Sequence, residues 1–217
     1  MENDPRLERK WVFNNTDNIS LLVSLMNSSL HFRNQFDNRQ VNSIYFDNLS
    51  LSSITDNLDG VSNREKIRLR WYGNNTNLIN KPILERKIKK NFYGYKKYYP
   101  INNFKEKKLN DETLSKLTDE VNNLIKYKDL HPTSITNYKR MYLISSNKLI
   151  RATLDYDIQY KKIINYIEDF FINSTDIILE IKYPKNLDLY LRSEISGITR
   201  MKKNSKYINS LLNDNFY

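Results

Sequence analysis

Charged residues recur at every second position in five short segments of this chain, and most of them are cationic. The segments are Arg6-Leu-Glu8-Arg-Lys10, Arg64-Glu-Lys66-Ile-Arg68-Leu-Arg70, Glu85-Arg-Lys87, Tyr138-Lys-Arg140 and Glu180-Ile-Lys182. A β-strand has a side-chain period of two, so each segment predicts a strand that projects its charges to one face. In the second and last segments the positions of the other face are apolar: Ile67, Leu69 and Trp71, then Leu179, Ile181 and Tyr183. Several strands with charge on one side and apolar groups on the other can close into a barrel with a charged bore. A narrow bore lined by Arg and Lys suits a polyanion.

The totals narrow the partner. The chain has 217 residues, read as a single domain over 1–217 and long enough to bury a real core. It carries 35 Lys+Arg against 25 Asp+Glu, a net +10, which implies an anionic partner. Cysteine is absent, which excludes a disulfide framework and a thiolate zinc site. Only two histidines occur, His31 and His131, both read as structural, so His-rich metal sites and His-centred triads are not expected. Four glycines and no Gly-rich loop exclude a Walker-type or Rossmann-type nucleotide site. Met1 leads into a charged strand without a signal-peptide core, and no apolar run approaches the roughly 20 residues that span a bilayer. The expectation is a soluble, cytoplasmic protein with no transmembrane segment.

Periodicity and punctuation place the elements. Strands are predicted over 6–13, 43–47, 64–72, 82–90, 95–101, 135–144, 149–157 and 176–183. Asn15-Thr16-Asp17 caps a helix with Ile19, Leu22, Val23 and Met26 on one face. A second helix starts at Asn110 and runs to about Tyr127, with Leu114, Leu117, Val121, Leu124 and Ile125 at helical spacing. Pro132 ends the connection that follows. Pro184 stops the last strand, a helix follows over 185–194, and a short final helix carries Tyr207, Ile208, Leu211 and Leu212. Residues 161–172 fit strand and helix alike. The fold class is α+β with an antiparallel sheet.

Four cations on one strand face repel each other, so Arg64, Lys66, Arg68 and Arg70 read either as a solvated edge face or as part of an anion site. Their repetition on distant strands favours the anion site. The interspersed Glu8, Glu85 and Glu180 fit nucleic acid poorly, because a carboxylate repels a phosphate backbone unless a metal ion lies between. Among cations each stays ionised. Each reads as a cross-strand salt bridge or as a ligand for Mg²⁺ or Mn²⁺, the salt bridge being favoured for Glu8 and Glu85 and the metal for Glu180. At the C-terminus, Lys203-Asn-Ser205-Lys206 places two lysines around a hydroxyl at a helix start, either a plain basic cap or a phosphate contact.

These residues converge on a known pattern. Ser43-Ile-Tyr-Phe-Asp-Asn48, the run from Leu58 through Arg-Leu-Arg-Trp-Tyr-Gly73, Leu84-Glu-Arg-Lys87, Asn137-Tyr-Lys-Arg140, Leu179-Glu-Ile-Lys182 and Ser205-Lys-Tyr207 together resemble the vacuolar-transporter-chaperone (VTC) polyphosphate polymerase domain. That domain is one of the triphosphate tunnel metalloenzymes, and the resemblance runs from about Arg6 to Tyr207. It implies an antiparallel eight-stranded β-barrel tunnel with helices outside. It implies transfer of the ATP γ-phosphate to a growing inorganic polyphosphate chain, with Mn²⁺ or Mg²⁺. Carried over by motif, Lys10, Arg68, Arg70, Lys87, Arg140 and Arg151 clamp the nucleotide and the product chain. Lys96 matches a further tunnel lysine, and Tyr138 bonds a phosphate. Glu180 binds the metal with Lys182 beside it. Lys203, Ser205 and Lys206 close the site from the terminal helix.

Two departures from the pattern stand out. Hydrolase and cyclase relatives begin with Glu-x-Glu-x-Lys, whereas this chain has Arg6-x-Glu8-x-Lys10. One acid fewer favours holding a long polyanion over activating water. Tyr98 stands where the pattern has an Arg. The regulatory and membrane regions of the eukaryotic enzymes find no room, so a soluble single-domain enzyme is expected. The alternatives are a triphosphate or tripolyphosphate hydrolase on the same fold, and a non-catalytic binder of polyphosphate or RNA. Nucleic acid is the weaker partner, and oligomeric state is not encoded legibly.

Overall fold

Each of the five alternating segments is extended in the computed structural model, which describes residues 6–14, 17–91, 93–101, 104–126, 129–163, 171–194 and 204–212. In chain order the elements are β1 (Arg6–Asn14), α1 (Asn18–Met26), β2 (Arg33–Asp47), α2 (Ser52–Leu58), β3 (Asn63–Tyr72), β4 (Leu78–Ile79), β5 (Ile83–Lys90), β6 (Tyr93–Pro100), β7 (Lys107–Lys108), α3 (Asp111–Ile125), β8 (His131–Ile144), β9 (Arg151–Lys162), β10 (Ile172–Ser174), β11 (Asp176–Pro184), α4 (Asp188–Glu194) and α5 (Lys206–Leu212). A 3₁₀ turn over Lys185–Leu187 leads into α4. The α+β class and the antiparallel pairing agree with the sequence reading.

The chain packs as two compact units. The first takes Met1–Arg39, Tyr138–Ile158 and Ser174–Asn204, and the second takes Gln40–Asn137, Gln159–Asn173 and Ser205–Tyr217. The long strands β2 and β8 contribute one half to each.

In the first unit the strand order is β1, β11, β9, then the C-terminal half of β8 and the N-terminal half of β2. β1 and β11 pair antiparallel with Glu8 opposite Lys182 and Lys10 opposite Glu180. β11 pairs β9 with Glu180 opposite Thr153 and Lys182 opposite Arg151. The other face of these strands buries Trp11, Leu143, Leu154, Leu179, Ile181 and Tyr183 together with Leu21 and Leu25 of α1 and Leu191 of α4. Full burial of such side chains contributes about 1.5–3 kcal/mol each.

In the second unit the order is the N-terminal half of β8, the C-terminal half of β2, then β3, β5 and β6. Ile67, Leu69 and Trp71 of β3 sit with Leu84 of β5 against Leu114, Leu117, Val121 and Ile125 of α3. The opposite face of β3, β5 and β6 is charged. α3 is capped by the Asn110 side chain, which accepts from the Thr113 N–H at 2.9 Å, and Asp111 and Glu112 occupy its first turn, where the helix dipole favours acids.

Several local expectations are corrected. In α1 the buried residues are Leu21 and Leu25, while Ile19 (62% exposed), Val23 and Met26 face outward. Six of its nine residues are apolar, so spacing alone selected no face; packing on Trp11 and its neighbours did. Asp17 is its N-cap, accepting from the Ser20 N–H, and Asn15 and Thr16 lie outside the described residues. Pro132 does not end a connection but is the second residue of β8. α2 has no apolar stripe and was not anticipated; side chains of Asp47 and Asn48 cap it. Of 161–172, the first residues end β9, and 164–170 lie outside the described residues.

Candidate functional site

Two charged sheet faces, one in each unit, hold the described residues singled out in the sequence. On the first, β1 and β11 bring Glu8, Lys10, Glu180 and Lys182 into a closed ring of alternating charge. The Lys10 ammonium lies 2.9 Å from Glu8 and 3.1 Å from Glu180, and the Lys182 ammonium 2.6 Å from Glu180 and 3.4 Å from Glu8. Burial pulls the Glu180 carboxyl up, but Lys10, Lys182 and Arg140 outweigh it and hold it well below the usual carboxylate range. Burial likewise pulls Lys10 down, and Glu180 and Glu8 more than offset this, leaving it above an ordinary lysine. Both groups are therefore charged at neutral pH.

Arg140 stands on the same face, two strands from β11. Its guanidinium donates through Nε and Nη2 to the two carboxylate oxygens of Asp155, at 2.5 and 2.7 Å, and lies 5.2 Å from the centre of the Tyr138 ring. Desolvation lowers the Arg140 pKa, and Asp155 and its other neighbours outweigh that, so the net shift is well upward. Arg151 is exposed at the start of β9, opposite Lys182. Lys139, between Tyr138 and Arg140 in sequence, is exposed and pairs with Asp157 at 3.0 Å.

On the second face Glu85 is the hub. Arg68 donates to its Oε2 through Nε at 2.8 Å and Nη2 at 2.5 Å, and Arg70 lies 3.3 Å from Oε1. Burial alone raises the Glu85 carboxyl, and Arg68, Arg70 and Lys96 outweigh that to bring it below its ordinary value. The register aligns Lys66, Lys87 and Lys96 in one row across β3, β5 and β6, and Arg68, Glu85 and Tyr98 in the next. Three aligned lysines on one sheet face call for a multivalent anion. α5 reaches this row: the Lys66 ammonium donates to the Ser205 hydroxyl at 2.7 Å, and Lys206 is the first residue of the helix. Lys203 lies outside the described residues.

Sequence reasoning missed several residues that hold these faces. Asp155 is 2% exposed and fixes Arg140. Tyr207 is buried, stacks on Tyr45 with ring centroids 4.9 Å apart, and donates to Asp47 at 2.7 Å, which seats α5. The Thr153 hydroxyl, in register with Glu180, is buried without a hydrogen bond among the described residues. Asp47 and Tyr207 both stand inside motifs that carry the resemblance, but nothing local marks the hydrogen bond between them.

The acids expected to form salt bridges, Glu8 and Glu85, do so. Glu180 is also bridged, by two lysines. Among the described residues no group of three or more His, Asp or Glu gathers as a ready-made metal cage. Glu180 and Glu8 share both lysines, and such a carboxylate pair fits a Mg²⁺ or Mn²⁺ whose remaining ligands are phosphate oxygens and water.

With this geometry in view, comparison with known proteins is decisive. The family model of the VTC domain matches residues 6–213. The chain belongs to the VTC domain family. A sequence comparison with curated proteins finds no match. Among solved structures, this VTC-domain chain is similar to a protein named as an adenylate cyclase from Vibrio parahaemolyticus, at 11% identity and a TM-score of 0.52, covering 93% of this chain and 95% of that one. A conserved hypothetical protein from Pyrococcus furiosus matches at 12% identity and a TM-score of 0.53, covering 93% and 98%. These likenesses show the fold, which is that of the triphosphate tunnel proteins. VTC membership and the fold together support a triphosphate-binding protein of the tunnel enzyme family. No helix among the described residues is long and apolar enough to cross a membrane.

Proposed function

We propose that this VTC-domain protein is a metal-dependent polyphosphate polymerase that transfers the ATP γ-phosphate to a growing inorganic polyphosphate chain. One observation supports this reading above the others. Glu8, Glu85, Asp155 and Glu180, the acids set among the cations, are each ion-paired, and the two best buried of these four each meet an arginine side-on. Phosphoryl transfer to water requires a group that orients the water and takes its proton. The terminal phosphate of a polyphosphate chain is already an oxyanion and needs no base.

In the proposed reaction an oxygen of the chain end attacks the γ-phosphorus, the bond to the β-phosphate oxygen breaks, and ADP leaves. Charge on the equatorial oxygens is met by cations already fixed in place, which is where the largest electrostatic gain arises. Lys10, Arg140, Arg151 and Lys182 serve in the first unit, with Tyr138 as a hydroxyl donor. Arg68, Arg70, Lys87, Lys96, Ser205 and Lys206 serve in the second, and Lys203 is added to them by motif alone. Proteins of this fold family generally use divalent metals, and here Glu180, with Glu8 beside it, would hold Mn²⁺ or Mg²⁺. When bound, the ion neutralises phosphate charge that side chains alone would have to carry.

The test is incubation of the purified protein with ATP and Mn²⁺, with and without a short polyphosphate primer. A ladder of chains on a gel, with ADP in matching amount, is the expected result. Orthophosphate without chains would make the protein a triphosphate hydrolase. Binding of polyphosphate with no turnover would make it a binding module.

A further inference from the structure

From the rim of the first charged face we infer that Phe36, Tyr142 and Arg39 form a stacking site for the purine base of the donor nucleotide. This rests on the reading of the protein as an ATP user and adds the part that recognises the nucleoside.

The cluster lies in the first unit, where the N-terminal half of β2 neighbours the C-terminal half of β8. The Phe36 ring meets the Tyr142 ring edge-on, with centroids 5.9 Å apart and planes at 80°. The Arg39 guanidinium carbon lies 5.9 Å from the Phe36 centroid and 5.6 Å from the Tyr142 centroid. Phe36 is 52% exposed, so its ring is open to solvent beside Tyr142 and Arg39. It borders a recess of about 550 Å³ lined by Asn34, Gln35, Phe36, Asp37, Asn38 and Arg39, which is the scale of a small-molecule site.

Position gives this cluster its meaning. Tyr138, Arg140 and Tyr142 alternate along β8, so they share one face, while Met141 and Leu143 point into the core. A ring at Tyr142 therefore stands two residues, about 7 Å, along the strand from the phosphate-binding Arg140. An exposed aromatic face and a guanidinium plane are both surfaces on which a heteroaromatic ring stacks. Asn34 and Asn38 flank Phe36 at two-residue spacing, and their amides each supply a donor and an acceptor, the pair that an adenine edge offers in return.

Binding of ATP and of inorganic tripolyphosphate to the whole protein, measured by calorimetry, separates base recognition from phosphate recognition. Phe36→Ala combined with Tyr142→Ala is expected to weaken ATP about tenfold and to leave tripolyphosphate unchanged. Phe36→Trp is expected to keep ATP affinity. Equal loss for both ligands, or no loss for ATP, overturns the inference. So does a protein that stacks single-stranded RNA on these rings and shows no preference for ATP. Because neither measurement requires chain growth, failure of the polymerase reading would be seen separately, in the gel assay, while the base effect stayed readable.

Discussion

The Tyr207 hydroxyl donates to Asp47 at 2.7 Å, and that same carboxylate accepts the Ser53 and Ile54 N–H groups at the start of α2. One buried acid thus ties the C-terminal helix, a strand end and a second helix together. Tyr207→Phe keeps the stacking on Tyr45 but removes the hydrogen bond to a charged acceptor. The expected cost is about 1.5–3 kcal/mol of stability. Urea denaturation measures it, and a midpoint equal to wild type would show that the link carries no weight.

Asp155 and Arg140 form a bidentate pair whose acid is 2% exposed. Removing one partner of a buried pair leaves the other charge without compensation, at a cost of about 3–5 kcal/mol. Asp155→Asn is expected to destabilise by this order. Under the proposed function it also weakens tripolyphosphate binding, because Arg140 loses its fixed orientation. Calorimetric binding and thermal unfolding of the same variant check both; a stable variant with unaltered binding would count against a positioning role.

Acid should loosen the second unit through Glu85. Its folded carboxyl sits below its ordinary value because Arg68, Arg70 and Lys96 outweigh burial. A depressed folded pKa contributes stability that is fully present above the unfolded value of about 4.3 and is lost as pH falls through the folded value. Glu85→Gln is expected to be less stable than wild type between pH 5 and 7, with the gap closing below pH 4. A gap that stays constant down to pH 3 would remove Glu85 from the acid transition.

Under the proposed function, Glu180→Ala should abolish turnover while sparing most of the ATP affinity, since the cations around it remain. Chain synthesis and ATP calorimetry on one preparation decide this. Retained synthesis would take Glu180 out of the metal role and leave it as a counter-ion for Lys10 and Lys182.

Much of this was legible in the chain itself. The strands that carry the alternating charged segments followed from alternation, and Ile67, Leu69, Trp71, Leu179, Ile181 and Tyr183 are all buried as the pattern required. The outward face of α1 was not legible, because apolar residues occupy most of its positions and only the shape of the underlying sheet selects among them. The pairings of Asp155 and Tyr207 were illegible for a different reason. Their roles depend on partners 15 and 160 residues away, and no local spacing encodes such a pairing.

By itself the sequence determined which residues share a strand face, since a period of two is a property of the extended backbone. It also determined the sign of those faces and, by its motif order, the family. The tertiary structure decided which charges meet: Glu85 with two arginines, Glu180 with two lysines, Lys66 with Ser205. Those choices are set by strand register and helix docking. These are fixed by burying Trp71 and Leu179 on the far faces rather than by the charges themselves.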